Sequence, residues 1–548
     1  MIPSKVAPKT SKSESTPKSK SYATGEAYHL FDFLKEPNDT VLMKNLFKKL
    51  REAGIKECDL RLQKVKKLLP DIIGHEIDNI SELAVDASAF IRILMTDSHL
   101  LMGAITQSLI IPKYDEFEQL NVQLFEAQIK NNEGEPSNYI PEYENVDPNL
   151  WGVSICTIDG QRSSFGDSAV PFPSDTVSYP FLYAKCIDLF NEETVHQHVL
   201  LRRRPQENFR DLPTDAKPYN PMVSSGAIAL SALFCDTDRR HGSNADRRHE
   251  FFDFLKNMCS HEHVQINSTV NISHNTRGDK YRAMAYAMQN TGYLPKNTNI
   301  RNVLDFFFEI SSLEMTCDSL SVMAATLANF GENPFTHQQV INAKTVKHVL
   351  SAMLKWGCTV YSGACAFNLG LPSKQSESGA FMLVVPGLLG LAMYSPNLNN
   401  DSVSPRNIEF AKSFVKEFSL HPFKNVVQEL KKKPPFRRVP EIECENYCPI
   451  FTATVNNDLT EVMNLTSANK VLAYATDAEG RSILHVAAAL GFKDIVKYVA
   501  SNFWRLCLVR DRFERSPRDY VKKPEENSEI LHILTKYEEI AETNVLPE

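Results

Sequence analysis

WGVSICTIDGQRSSFGD, residues 151–167, is the stretch from which the fold is read. Its first half, Trp151 to Ile158, alternates in the period-two manner of a strand and runs into Asp159-Gly160. That dipeptide suits a tight reversal, and GQRSSFGD then starts a second short strand, so the segment predicts a β-hairpin. Two later runs, AFMLVVP (Ala380–Pro386) and GLAMYS (Gly390–Ser395), are continuous, apolar and short, which fits strands buried on both faces. Between hairpin and runs lie helical stretches such as SLSVMAATLAN (Ser319–Asn329). Strands at either end of a segment with helices between them predict the α+β class.

Outward from this core the chain changes character. On the N-terminal side, Leu42, Leu46 and Leu50 recur at four-residue spacing in VLMKNLFKKLREAG, with Gly54 where a C-cap belongs. Further helical runs over Ser81–Met95 and Glu116–Lys130 complete an expected all-helical domain over residues 26–135, with no chemistry-bearing cluster. The α+β domain is expected over 136–425. Basic, proline-broken KKKPPFRR (Lys431–Arg438) marks a linker, assigned to 426–446. Beyond it, GRSILHVAAALGFKDIVKYVAS (Gly480–Ser501) follows the ankyrin helix-turn-helix pattern, and degenerate neighbours on both sides extend the expected repeats over 447–540. Residues 1–25 are rich in Ser, Thr, Lys and Pro and nearly free of acid, which predicts disorder. The same composition leaves two readings open, a plain tail or a transit peptide, and so a mitochondrial or a cytoplasmic location.

Composition removes several function classes. With 60 Lys plus Arg against 67 Asp plus Glu, the formal charge of −7 offers no field for a nucleic-acid partner. The 11 cysteines lack the paired C-x-x-C spacing of a structural zinc site, so no metal is expected. No run of apolar residues is long enough to span a bilayer.

Four stretches carry a resemblance to a known family: residues 151–167 quoted above, KPYNPMVSSGAI (Lys217–Ile228), LDFFFEISSLEMTCDSLSVMAATLANFGENP (Leu304–Pro334) and GLPSKQSESGAFMLVVPGLLGLAMYSP (Gly370–Pro396). In order, spacing and flanking regions they resemble the serine-dependent glutaminases, in the architecture of the animal kidney type with C-terminal ankyrin repeats. The resemblance implies a β-lactamase-like α+β fold, no cofactor, and hydrolysis of L-glutamine to L-glutamate and ammonia. Such a reaction needs a nucleophile, a base for its proton and N–H groups to hold the oxyanion. The family supplies the first two from S-x-x-K, a few residues after V-P-F. Here VPFPSDTVSYPFLYA (Val170–Ala184) aligns without a gap, so the serine position is Thr176 and the lysine position is Tyr179.

The remaining positions are carried over one at a time. A substrate-side tyrosine is kept as Tyr139. Other substrate-binding positions fall on Ser224, His274, Tyr281 and Phe307. A catalytic tyrosine before Ser362-Gly363 falls on Thr359 or on Tyr361, depending on the direction of counting. The loop that contributes an oxyanion N–H reads Lys374-Gln375-Ser376-Glu377, which puts Glu377 at the binding position. A scaffold preserved around a rewritten site is the pattern of a pseudoenzyme. Tyr179 is a poor base at neutral pH, because a tyrosine hydroxyl titrates near 10.

Two functions from different classes stay open. One is a low-activity or inactive pseudo-glutaminase that acts by assembly, as a homo-oligomer (dimer or tetramer) or a hetero-oligomer with an active glutaminase, or by presenting its ankyrin repeats to a protein partner. The other is an active glutamine amidohydrolase with an altered site based on Thr176, for which His274 is one candidate base. A pocket that still binds would take glutamine or a related small molecule.

Overall fold

The computed structural model describes residues 30–73 apart from 32 and 58, 83–202, 217–236, 243–423, and 449–543 apart from 469, 478, 479, 512 and 523–526. The expected tail over 1–25 and the expected linker over 426–446 lie outside these residues. Contacts divide the chain into two units, residues 52–56 with 110–436, and residues 1–51, 57–109 and 437–548.

In the N-terminal part of the second unit, the helix Met43–Glu52 buries Met43, Leu46 and Leu50; Leu46 and Leu50 follow the predicted spacing, while Leu42 precedes the helix. Helices Ala87–Leu94 and Ser98–Ile105 each start on an aspartate, and Asp86 and Asp97 accept from the backbone N–H groups of Ala89 and Leu100. The region is not all-helical, however. Two short strands, β1 (Val41–Leu42) and β2 (Ala84–Val85), pair antiparallel. The helix expected near Glu116–Lys130 forms as Tyr114–Gln128, but it falls in the other unit, where Phe117 packs on Phe414 and Phe418.

The C-terminal part has helix Ile483–Leu490, then Gly491 at φ 78°, then helix Lys493–Asn502. A left-handed C-cap is where glycine avoids the Cβ penalty. One turn occurs twice. The Asp477 N–H donates to the Arg481 carbonyl while the Arg481 N–H donates to the Asp477 carboxylate, and Asp511 and Arg515 repeat this arrangement. His485 Nε2 contacts the Arg515 carbonyl at 3.2 Å, and so ties the first turn's helix to the second turn.

The larger unit holds β3 (Gly152–Thr157), β4 (Arg162–Gly166), β5 (Phe172–Pro173), β6 (Val264–Ile266), β7 (Leu313–Met315), β8 (Ser373–Gln375), β9 (Ala380–Val385) and β10 (Leu389–Tyr394). Five of them form an antiparallel sheet in the order β4-β3-β10-β9-β8, and β5-β7-β6 form a small second sheet. The predicted hairpin is β3–β4, in register from Gly152 opposite Gly166 to Cys156 opposite Arg162. One sheet face presents Ala380, Met382, Val384 and Ala392 to a core shared with helices Tyr179–Phe190, Ser224–Phe234, Ile300–Ser311 and Cys317–Ala328. The other presents Val153, Ile155, Leu383 and Leu391 to helices Tyr114–Gln128 and Pro405–Glu417. Burial on both faces is why β9 and β10 read as unbroken apolar runs. Gly390 lets the helix Cys317–Ala328 come close, because a Cβ there would lie 2.3 Å from Ala325 N.

Candidate active site

The candidate site begins where β5 leads into a short 3₁₀ turn, Asp175–Ser178, which continues as the helix Tyr179–Phe190 with Pro180 in its first turn. Proline there costs little, since its missing N–H would have no helical partner. Asp175 sits at φ 44°, a left-handed conformation that side chains other than glycine rarely adopt and that is found often at functional sites. It directs the buried Asp175 carboxylate against the strand β8 loop, where Oδ2 accepts from the Glu377 backbone N–H at 3.1 Å.

Thr176 follows, partly exposed. Its hydroxyl donates to the Gln375 carbonyl at 2.8 Å. Lys374, fully buried on β8, reaches the same point, and its Nζ donates to Thr176 Oγ1 at 2.9 Å and to the Gln375 carbonyl at 2.6 Å. Burial pulls the Lys374 ammonium down to about 8, against the opposing influence of Asp175, Cys358 and Glu377.

Tyr179, one helical turn on from Thr176, is buried beneath this pair, with Lys374 Nζ 5.8 Å from its ring centroid. Its hydroxyl lies 3.5 Å from Ser224 Oγ at the start of the helix Ser224–Phe234. Burial, reinforced by Asp175, pushes the Tyr179 hydroxyl far above its ordinary range, so it holds its proton. Aromatic contacts carry the site onward: Tyr179 to Phe307 at 6.1 Å between centroids, and Phe307 to Tyr281 at 5.2 Å. Lys280 places its ammonium 4.9 Å from the Tyr139 ring and 4.8 Å from the Tyr281 ring. Tyr139 also lies 5.6 Å from the His274 ring, and burial pushes its hydroxyl up to about 12. His274 Nε2 is engaged by the Tyr143 hydroxyl at 3.2 Å, and burial lowers its pKa, so the imidazole is neutral at pH 7.

Seven of the positions named from sequence, Tyr139, Thr176, Tyr179, Ser224, His274, Tyr281 and Phe307, thus form one connected group, and Glu377 joins it through its backbone N–H. Thr359 and Tyr361 do not join it through any described contact. Tyr361 packs with Cys358 and Cys365 in the cluster on the opposite face of the sheet. Two residues that the sequence reading gives no chemical role, Asp175 and Lys374, stand at the centre. The available signal was position: Asp175 directly precedes the residue that the resemblance puts at the nucleophile position, and Lys374 opens the loop expected to contribute an oxyanion N–H. Among the described residues no group of three or more His, Cys, Asp or Glu could hold a metal ion, and no helix is long and apolar enough to cross a membrane.

Residues 134–423 match the glutaminase family model, and residues 27–112 match an EF-hand domain model, which the reading of that region as plain helices does not anticipate. A putative glutaminase 3 of Caenorhabditis elegans is 32% identical over 90% of this chain and 84% of its own length. The mitochondrial liver isoform of glutaminase from Rattus norvegicus is 30% identical over 89% of this chain and 80% of its own. Among solved structures, one described as a probable glutaminase superposes with a TM-score of 0.53 at 28% identity, covering 57% of this chain and 99% of that one.

Proposed function

This chain belongs to the glutaminase family, and from that premise we infer that it is a pseudo-glutaminase, a member that does not turn over glutamine at a normal rate. The observation that carries the reading is the bond from the Glu377 N–H to the Asp175 carboxylate. By the family resemblance this N–H should stabilise the oxyanion of the tetrahedral intermediate. Here it is occupied by a carboxylate of the chain itself, and a negative charge developing beside that carboxylate would be repelled. Loss of a single oxyanion donor costs on the order of 100- to 1,000-fold in rate.

Two further features support the same reading. At the lysine position, Tyr179 holds its proton rather than taking one. Ser224, His274, Tyr281 and Phe307 replace the groups that would grip the ends of a free amino acid, and His274 is already bonded to Tyr143. On this view the glutaminase fold serves assembly, with a second copy or with an active glutaminase. The C-terminal region serves as an ankyrin pair for a protein partner, a reading supported by the turn repeated at residues 477–481 and 511–515 and by the His485 link between repeats.

Ammonia and glutamate release at saturating glutamine tests this, for the natural protein and for the double variant Thr176→Ser, Tyr179→Lys. Neither should reach about 1 s⁻¹, the low end of ordinary enzyme turnover. Such turnover in the natural protein would refute the pseudoenzyme reading. In the double variant alone, it would mean that the pocket still positions glutamine despite Asp175.

A further inference from the structure

We propose that Lys374, brought by β8 to within 2.9 Å of the Thr176 hydroxyl, is the general base of a relocated nucleophile–base pair, so that Thr176 is acylated by small activated acyl donors. This goes beyond the reading above. The chain lacks the means to turn over glutamine, yet it keeps a hydroxyl and an amine in hydrogen-bond contact.

The geometry supplies what such a pair requires. The nucleophile is the more accessible member: Thr176 is partly exposed, whereas Lys374 is wholly buried behind it. The amine is held rather than free, by the Gln375 carbonyl on one side and the Tyr179 ring on the other. In the resting arrangement the Thr176 hydroxyl donates to the Gln375 carbonyl. Rotation about its Cβ–Oγ1 bond turns that proton toward Nζ without moving either heavy atom. The charged and titratable groups facing the amine are Asp175, Glu377 and Cys358, with Tyr179 beneath it. Burial outweighs the carboxylates, so the neutral amine is populated from about pH 8 upward. Tyr179 is thereby relieved of the family's base position, which explains how that residue can be a buried, protonated aromatic while the hydroxyl at 176 remains paired with an amine.

The reaction balances without a further reagent. With an aryl ester, neutral Lys374 Nζ takes the Thr176 proton as Oγ1 attacks the carbonyl carbon. The tetrahedral intermediate collapses with loss of the aryl oxide, leaving an acyl ester on Thr176, and Lys374 releases its proton to water. A good leaving group makes little demand on the oxyanion site that Asp175 obstructs, whereas an amide makes a large one. The pair is therefore expected to show itself with activated esters and not with glutamine.

The test is acetylation of the full chain by p-nitrophenyl acetate, followed by peptide mapping, over pH 6 to 10. One acetyl group should appear on Thr176, with a rate that rises to a plateau about a midpoint near pH 8. Lys374→Met should slow it by roughly 100-fold or more, and Lys374→Arg, which keeps the charge but cannot act as a base, should do the same. Thr176→Val should abolish the label, while Thr176→Ser should keep it. Acetyl found on Lys374 itself or only on surface lysines would overturn the proposal, as would a Thr176 label with the same rate in a folded Lys374 variant. Should both Lys374 variants fail to fold, the pH profile of the natural protein decides. A Thr176 rate without an inflection near pH 8 refutes the pair.

Discussion

At the scale of single residues, Asp175 and Lys374 set each other's chemistry. The Asp175 carboxylate favours the charged form of Lys374, while burial favours the neutral form and prevails. Replacing Asp175 by glycine suits φ 44° and removes the carboxylate, so the Lys374 amine should lose its proton more readily. Its Thr176 acetylation profile is then expected to shift to a midpoint below that of the natural protein; an unchanged or higher midpoint would show that Asp175 does not act on Lys374. The same depressed pKa makes a stability prediction. Between about pH 8 and the ordinary lysine value of 10.5 the unfolded chain binds more protons than the folded one, so stability rises with pH across that window. The gain is at most about 3 kcal/mol. Urea unfolding at pH 7.5 and 10 should show it in the natural protein, and show less of it in Lys374→Met. A buried ammonium kept at this cost fits a site arranged for chemistry rather than for stability.

At the scale of elements, the contact between β10 and the helix Cys317–Ala328 depends on a missing side chain. A Cβ at Gly390 would meet Ala325 N at 2.3 Å and the Ala324 Cβ at 2.5 Å, and much of this opposing surface is backbone. Gly390→Val should therefore destabilise the larger unit by about 3 kcal/mol or more, as overpacking that rigid backbone cannot relieve; a thermal midpoint within a degree of the natural protein's would contradict it. In the C-terminal helix pair, His485 is wholly buried, its Nδ1 against Ser482 and its Nε2 against the Arg515 carbonyl. Burial lowers its pKa to about 4, below the ordinary 6.5. The unfolded chain binds the extra proton between those values, so stability is fully present above pH 6.5 and is lost as pH falls toward 4, by up to roughly 3 kcal/mol. Hydrogen exchange over Ile483–Leu490 should quicken between pH 7 and 5 beyond its intrinsic pH dependence, and His485→Gln should remove that excess. The N-terminal EF-hand match escaped the sequence for a reason visible in the loop before helix Met43–Glu52. Calcium loops place carboxylates at alternating positions and end on a glutamate. Here residues 35–42 read KEPNDTVL, with carboxylates only at Glu36 and Asp39, so that alternation is missing from the letters.

At the scale of the whole molecule, the division into two units predicts that damage stays local. Leu484 is wholly buried in the C-terminal cluster, and a carboxylate there has no partner. Leu484→Asp should cost several kcal/mol in that region. Exchange protection of β3, β9 and β10 should be unchanged in this variant, while protection of Ile483–Leu490 and Lys493–Asn502 collapses. Joint loss of protection in both would mean that the two units fold as one. The assembly reading is checked at the same scale by light scattering coupled to size exclusion, in which a strictly monomeric chain that also fails to associate with an active glutaminase would remove it.

By itself the sequence determined several of the elements and their burial. The alternation over Trp151–Ile158 and the Asp159-Gly160 turn became β3 and β4, the apolar runs after Ala380 and Gly390 became the doubly covered β9 and β10, and Leu46 and Leu50 became part of the buried face of a helix, with Leu42 just before it in β1. Periodicity records which face meets the core, and that is a local property of the chain. It also directed attention to Thr176 and Tyr179, because an ungapped V-P-F anchor puts the expected serine and lysine positions there. Only the tertiary structure decided what surrounds those two side chains. Thr176 and Lys374 are far apart in sequence and 2.9 Å apart in space, and the Asp175 carboxylate meets the Glu377 N–H across the same gap. No spacing rule links a 3₁₀ turn to the edge strand of a sheet formed much later in the chain. Sheet order and the left-handed turn at Asp175 bring them together, and burial then sets the protonation of the lysine that the letters leave as an ordinary charge.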